Sequence, residues 1–132
     1  MAPKKLQTVA ATNVQGRKRG ELAATYLEVA TLIDEEDGAA VNVCIGLAVL
    51  AGIAASDAIC ISALGERYSG PDHSAAADLL NRVDSALATK LRRLVDLKPA
   101  SHYGEDLLTS NQRISALRWA NALVSAAAER TV

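Results

Sequence analysis

The residues of this sequence that could do chemistry are grouped around its two histidines. His102 lies in the segment L-K-P-A-S-H-Y-G, beside Lys98 and Tyr103 and nine residues after Arg93. An imidazole with a pKa near neutrality can take the proton of a ribose 2′-hydroxyl, and a neighbouring cation can stabilise the phosphorane charge. This group would suit RNA cleavage without a metal ion. The alternative is an ordinary histidine exposed in a turn.

A second group has the same residue types. Arg67 and His73 lie in R-Y-S-G-P-D-H, with five residues between them. Arginine–histidine pairs at this spacing often arise by chance, and a histidine in such a turn is often exposed or caps a helix. We therefore treat Arg67 and His73 as the weaker alternative site.

Other site chemistries lack a pattern in the sequence. Two histidines and two cysteines meet no zinc-ligand spacing. No glycine-rich loop of the kind that cradles phosphates follows a strand. The sequence therefore predicts neither a metal nor a cofactor.

The element that must position these residues is the apolar segment from Gly38 to Leu64, which we expect to continue as a helix to about Arg67. Such a segment, apolar on nearly every face, is either a helix enclosed by other helices or a membrane span. Asp57 within it and the abundance of Ala and Gly favour a central helix of a soluble protein, with no membrane.

Asp57 has two interpretations, because an ionised carboxylate cannot stay buried without a partner. It could lie at a helix edge and reach solvent or a surface arginine. Alternatively, it could support the site by orienting a functional basic residue from another helix.

The remaining pattern is helical. Residues 1–16 are expected to form a flexible arm, and residues 17–132 a single domain whose first helix begins at Glu21. Turn signals at residues 68–73 and 98–104 separate further helices, joined by short connections that favour antiparallel neighbours. The sequence predicts an all-α, up-down antiparallel bundle of about five helices around the long apolar one. The fourth predicted helix is the most basic structured part of the chain. Three of its cations are candidates for nucleic-acid binding: Lys90, Arg93 and Lys98.

Bulk composition limits the partners. The chain has 132 residues and a formal net charge of -1, which gives no global steering toward nucleic acid.

The cysteines indicate the compartment. Cys44 and Cys60 lie sixteen residues apart in the same predicted helix, too far to bridge each other, and are typical of buried thiols in a reducing compartment. No signal peptide is visible. We expect a cytoplasmic protein, and a homodimer in which Trp119 and Leu123 supply a second apolar surface.

Three segments carry a resemblance to the HEPN superfamily, small helical domains of prokaryotic toxin–antitoxin and defence systems. The segments are A-G-I-A-A-S-D-A-I, G-P-D-H-S-A-A-A-D-L-L and L-K-P-A-S-H-Y-G, and the resemblance covers residues 16–130. It implies a HEPN-like bundle. Active members are dimeric, metal-independent ribonucleases that use an arginine, four to six residues, then a histidine, from both protomers. Other members lack this motif and act as binding or dimerisation modules.

The sequence departs from the catalytic pattern near its last helix, because no arginine precedes His102 at the required spacing. The resemblance therefore implies a dimeric module that binds RNA, a nucleotide or a partner, with the Arg–His motif degenerate. The partner would be an antitoxin of the nucleotidyltransferase type. The alternative is a metal-independent ribonuclease toxin that uses His102 with Lys98 or Arg93.

Overall fold

The computed structural model describes residues 5–33, 35, 38–103 and 107–131, without the side chain of Tyr103. Within these residues the fold is mostly helical, with five helices of nine to 26 residues and one of six. The elements in chain order are β1 (Thr8–Ala10), α1 (Asn13–Leu32), α2 (Ala39–Leu64), β2 (Glu66–Tyr68), α3 (His73–Asn81), α4 (Ser85–Asp96), α5 (Lys98–Tyr103) and α6 (Ser110–Arg130).

Helix α2 is the long apolar helix that the sequence predicts. Glycine sets both ends, because Gly38 and Gly65 have φ angles of 75° and 72°, which few other residues adopt readily. Gly65 ends the helix three residues earlier than expected. By length and composition α2 could cross a membrane, yet 83% of its apolar window is buried inside the structure. Since the core helix of a soluble protein has the same features, this helix alone does not decide the location.

Contacts at the two ends of α6 define how the helices run. At the start of α6, Arg113 donates a hydrogen bond to the carbonyl oxygen of Ile33, just after α1, at 2.7 Å. At the end of α6, the carbonyl oxygen of Arg130 accepts a hydrogen bond from Ser62 of α2 at 2.7 Å. Helix α6 therefore runs alongside α2 in the same direction, and α1 runs against both. Arg130 also pairs with Asp84 at 2.8 Å, which places the start of α4 beside the end of α6. The result is a helical bundle around α2.

A glycine allows the closest approach in the core. A Cβ atom added to Gly52 would lie 2.6 Å from Cδ1 of Leu94 and 3.3 Å from Cδ1 of Leu123. Both leucines are fully buried, so α4 and α6 fill the space that the missing side chain leaves on α2. Leu123, which we expected on a surface for dimerisation, thus belongs to the core.

The amino-terminal prediction needs correction. Thr8, Val9 and Ala10 pair antiparallel with Tyr68, Arg67 and Glu66, so the described part of the chain includes a two-stranded sheet. Helix α1 begins eight residues before Glu21, because the side chains of Thr12 and Gln15 form a capping box at its start. The boundary at residue 17 therefore falls inside α1.

The expected turn around His102 is also different. Helix α4 ends at Asp96 and the chain enters a new helix at Lys98. Pro99 occupies the second position of α5, where a missing backbone N–H costs no hydrogen bond. His102 is therefore a helical residue. Gly104, expected to close this turn, lies outside the described residues.

Candidate functional site

The structure brings Arg67 and His73 into one cavity of about 190 Å³. Helix α1 supplies Arg19 to its wall and α2 supplies Asp57. The other residues that line it are Ile53, Tyr68, Ser69, Gly70 and Ala76. The pair treated as the weaker alternative is thus the one that the fold places beside Asp57.

Local structure explains how Arg67 and His73 reach this cavity. Strand β1 holds β2 in place through the pairing of Val9 with Arg67. The guanidinium of Arg67 donates to the carbonyl oxygen of Tyr68 at 3.1 Å. Asp72 accepts a hydrogen bond from the amide of Ser74 at 2.9 Å, which makes His73 the first residue of α3.

Asp57 is the buried acid of the cavity. Only 7% of the residue is exposed, and its carboxylate accepts a hydrogen bond from Arg19 at 2.8 Å. Burial raises the pKa of Asp57, while Arg19, Arg67 and His73 act in the opposite direction. The sequence left open whether Asp57 meets a surface arginine or orients a functional basic residue. The structure identifies the partner as Arg19.

Arg19 is the site residue that the sequence analysis missed. Its Nε atom is buried and has no hydrogen-bond partner among the residues that the structure describes. An unsatisfied buried donor costs about 1–3 kcal/mol, a cost that the contact of Arg19 with Asp57 must offset. Nothing in the basic segment Arg17-Lys18-Arg19 distinguished this arginine from its neighbours, because the distinction depends on its contact with α2.

The surroundings of His73 favour its neutral form. Its pKa is lowered first by burial and then by the positive charge of Lys98, while Asp57 and Asp72 partly oppose the shift. At pH 7 the imidazole is therefore mostly unprotonated and can accept a proton.

Replacing Lys98 by Gln should raise the pKa of His73, because one of the two causes that lower it is removed. The measurement is a pH titration of the imidazole C–H signals by NMR, which is simple with two histidines. The Lys90→Gln variant, also on the basic part of the chain, is the control and should leave the pKa of His73 unchanged. An equal shift in both variants, or none in Lys98→Gln, would contradict this account of Lys98.

The other predicted residues lie on α4 and α5. The guanidinium of Arg93 lies 5.8 Å from the ring centre of Trp119 on α6, whereas the charge of Lys98 acts on His73 of α3. His102 is exposed on α5, and its Nε2 would lie 3.4 Å from a Cβ atom on Gly46. The charge of Lys98 thus influences His73, while Arg93 faces Trp119 of another helix. The side chain of Tyr103 lies outside the described residues, and Lys90 is half-buried on α4.

A second cavity of about 340 Å³ shares Arg19 and Arg67 with the first. Its remaining walls come from β1, the residues after it, α1 and the end of α2. They are Val9, Ala10, Ala11, Gln15, Lys18 and Ile61. The two arginines therefore stand between a small polar cavity and a larger one with apolar walls.

Two further chemistries find little support. Among the described residues no group of three or more His, Cys, Asp or Glu side chains could hold a metal ion. Burial raises the pKa of Cys60 to about 12, so its thiol stays protonated and is a poor nucleophile.

Comparison with known proteins adds no assignment: no protein family matches the sequence, and no curated protein is significantly similar to it.

Proposed function

We propose that this chain is a HEPN-like, homodimeric domain of a prokaryotic toxin–antitoxin or defence system that binds RNA through its phosphate backbone. The observation that carries the proposal is the shared cavity of Arg67 and His73, with Arg19 in its wall. The partner in the cytoplasm would be an antitoxin of the nucleotidyltransferase type.

The charges of the cavity fit a single phosphate. Two arginines face one carboxylate, that of Asp57, and His73 is mostly neutral. One positive charge remains after this pairing. Guanidinium groups are suited to phosphate because several N–H donors lie in one plane.

Replacing Arg67 by Ala should weaken binding of single-stranded RNA about tenfold or more, since a hydrogen bond to a charged group is lost. Fluorescence anisotropy with a labelled oligonucleotide measures this at several salt concentrations. The slope of log affinity against log salt should fall by about 0.7 for each lost phosphate contact. The control is Arg118→Ala, an exposed arginine of α6 that does not line the cavity. Equal weakening in both variants would contradict the proposal.

A second candidate function is metal-independent RNA cleavage. The spacing of Arg67 and His73 matches the HEPN pattern, and both line the same cavity. His73 would take the 2′-hydroxyl proton while Arg67 stabilises the phosphorane. The version with His102 and Lys98 or Arg93 is favoured less, because Arg93 packs over Trp119.

Cleavage assays in EDTA separate these candidates. If His73 is the general base, His73→Ala should slow cleavage by about 10²–10⁴-fold, whereas His102→Ala should not. The reverse result would assign the reaction to His102. If the wild-type protein leaves RNA intact, the binding function stands alone.

Because Leu123 is buried in the core, a homodimer needs a different apolar surface. Helix α1 exposes Leu22, Val29 and Leu32 by 37%, 44% and 75%, and their spacing places them on one side of the helix. We propose this stripe as the contact between protomers. Light scattering on the protein used for the RNA assays should give twice the mass of the chain, and a strict monomer would remove this part of the proposal.

A further inference from the structure

Binding of a phosphate group by itself does not require the larger of the two cavities. At about 340 Å³ it falls within the range of sites for small organic ligands, whereas the 190 Å³ cavity falls below it. Both cavities are lined by Arg19 and Arg67. A group bound by these two arginines therefore has space on both sides.

The walls of the larger cavity differ from those of the smaller one. Lys18 adds a further cation to the larger cavity, and four apolar residues contribute to it: Val9, Ala10, Ala11 and Ile61. Val9 is 42% exposed although it is apolar, and it pairs across the ribbon with Arg67. Apolar surface next to guanidinium groups suits a flat ring that carries a phosphate.

We propose that the larger cavity binds one unpaired nucleobase, attached to the phosphate that Arg19 and Arg67 hold. The inference rests on the proposed function and adds a subsite to it. The faces of a nucleobase pack on apolar side chains and stack on guanidinium planes. Because a base within a duplex cannot enter such a cavity without leaving its stack, the site selects single-stranded RNA.

An acidic peptide is the competing occupant, since Lys18, Arg19 and Arg67 would also attract carboxylates. It fits less well, because its charged groups would face the apolar walls formed by Val9 and Ile61. A nucleotide supplies both the charge and the apolar ring.

The test compares two small ligands that carry the same phosphate. Adenosine 5′-monophosphate has a base, and ribose 5-phosphate lacks one. By calorimetry or NMR titration, the wild-type protein should bind the nucleotide at least about fivefold more tightly, the lower end of the effect of stacking one base. Ala10→Leu adds bulk at a residue that lines the larger cavity and should abolish this preference while leaving the affinity for ribose 5-phosphate unchanged.

The matched control is Ala86→Leu, which adds the same bulk at an exposed position of α4 outside both cavities. It should keep the preference for the nucleotide. If Ala10→Leu lowers the melting temperature more than Ala86→Leu, Val9→Ser serves as a second variant and should weaken nucleotide binding selectively.

Equal affinity of the wild-type protein for the two ligands would overturn the inference. The proposed function would survive that result if Arg67→Ala still weakened RNA binding. Displacement of the nucleotide by a glutamate-rich peptide but not by single-stranded RNA would also overturn it, in favour of a protein partner. Failure of RNA to bind at all would reject the proposed function itself.

Discussion

Replacing Arg19 by Ala should lower the free energy of unfolding by about 3 kcal/mol at pH 7. Removing one partner of a buried ion pair typically costs about 3–5 kcal/mol, because the other charge stays buried without compensation. The side chain of Asp57 is 10% exposed and that of Arg19 is 34% exposed, so we expect the lower end of this range. Urea denaturation gives the value. Arg17→Ala, at an exposed position of the same helix, should change it little.

The loss in Arg19→Ala should depend on pH with a definite sign. Burial already raises the pKa of Asp57, and Arg19 is the strongest influence that lowers it, so its removal raises the pKa further. A carboxyl group whose pKa rises on folding favours the folded state below its unfolded pKa, about 4, and this contribution is lost as the pH increases. The difference between wild type and variant should therefore be small near pH 4 and grow toward pH 7.

A double variant identifies the source of the loss. Adding Asp57→Asn to Arg19→Ala removes the unpaired charge and should restore more than half of the lost stability. If the double variant is as unstable as Arg19→Ala, the arginine contributes through packing and not through the carboxylate.

Replacing Gly52 by Leu should destabilise the protein by at least about 3 kcal/mol, the upper end of the effect of overpacking a core. A single added carbon already meets Leu94 at 2.6 Å, and the rest of a leucine side chain would have to displace α4 or α6. Thermal or urea denaturation followed by circular dichroism measures the change.

Ala63→Leu is the matched control for Gly52→Leu. It adds a leucine at an exposed position of the same helix and should alter stability by less than about 0.5 kcal/mol. Similar losses in the two variants would show that α2 does not pack closely against α4 and α6 at Gly52.

The parts of the fold that depend on long apolar patterns were predictable. Helix α2 was predicted because its apolar run is longer than an ordinary strand and needs neighbours to cover it, and the structure confirms it. The two strands were not predicted, since segments of three residues carry no periodicity and are defined only by their pairing. The start of α1 was missed although Thr12 and Gln15 carry a capping signal in the sequence.

The candidate site was predicted only in its residue types. The spacing of Arg67 and His73 was visible, and Asp57 stood out as an acid in an apolar helix. The contact between Asp57 and Arg19 was not visible in the sequence, because it depends on α1 packing against α2 over a separation of 38 residues. The effect of Lys98 on the pKa of His73 was also not visible, because the two residues lie on different helices, α5 and α3.

The ribbon of β1 and β2 also bears on the order in which the molecule assembles. Thr8 and Glu66, joined by a hydrogen bond, are 58 residues apart in sequence, and the chain between them contains both α1 and α2. Closing a loop of that length costs more entropy than bringing together the two neighbouring helices. We expect the helical hairpin to form first and the strands to dock on it afterwards. Because Arg67 lies on β2, we expect the cavity to be complete only after the strands have docked.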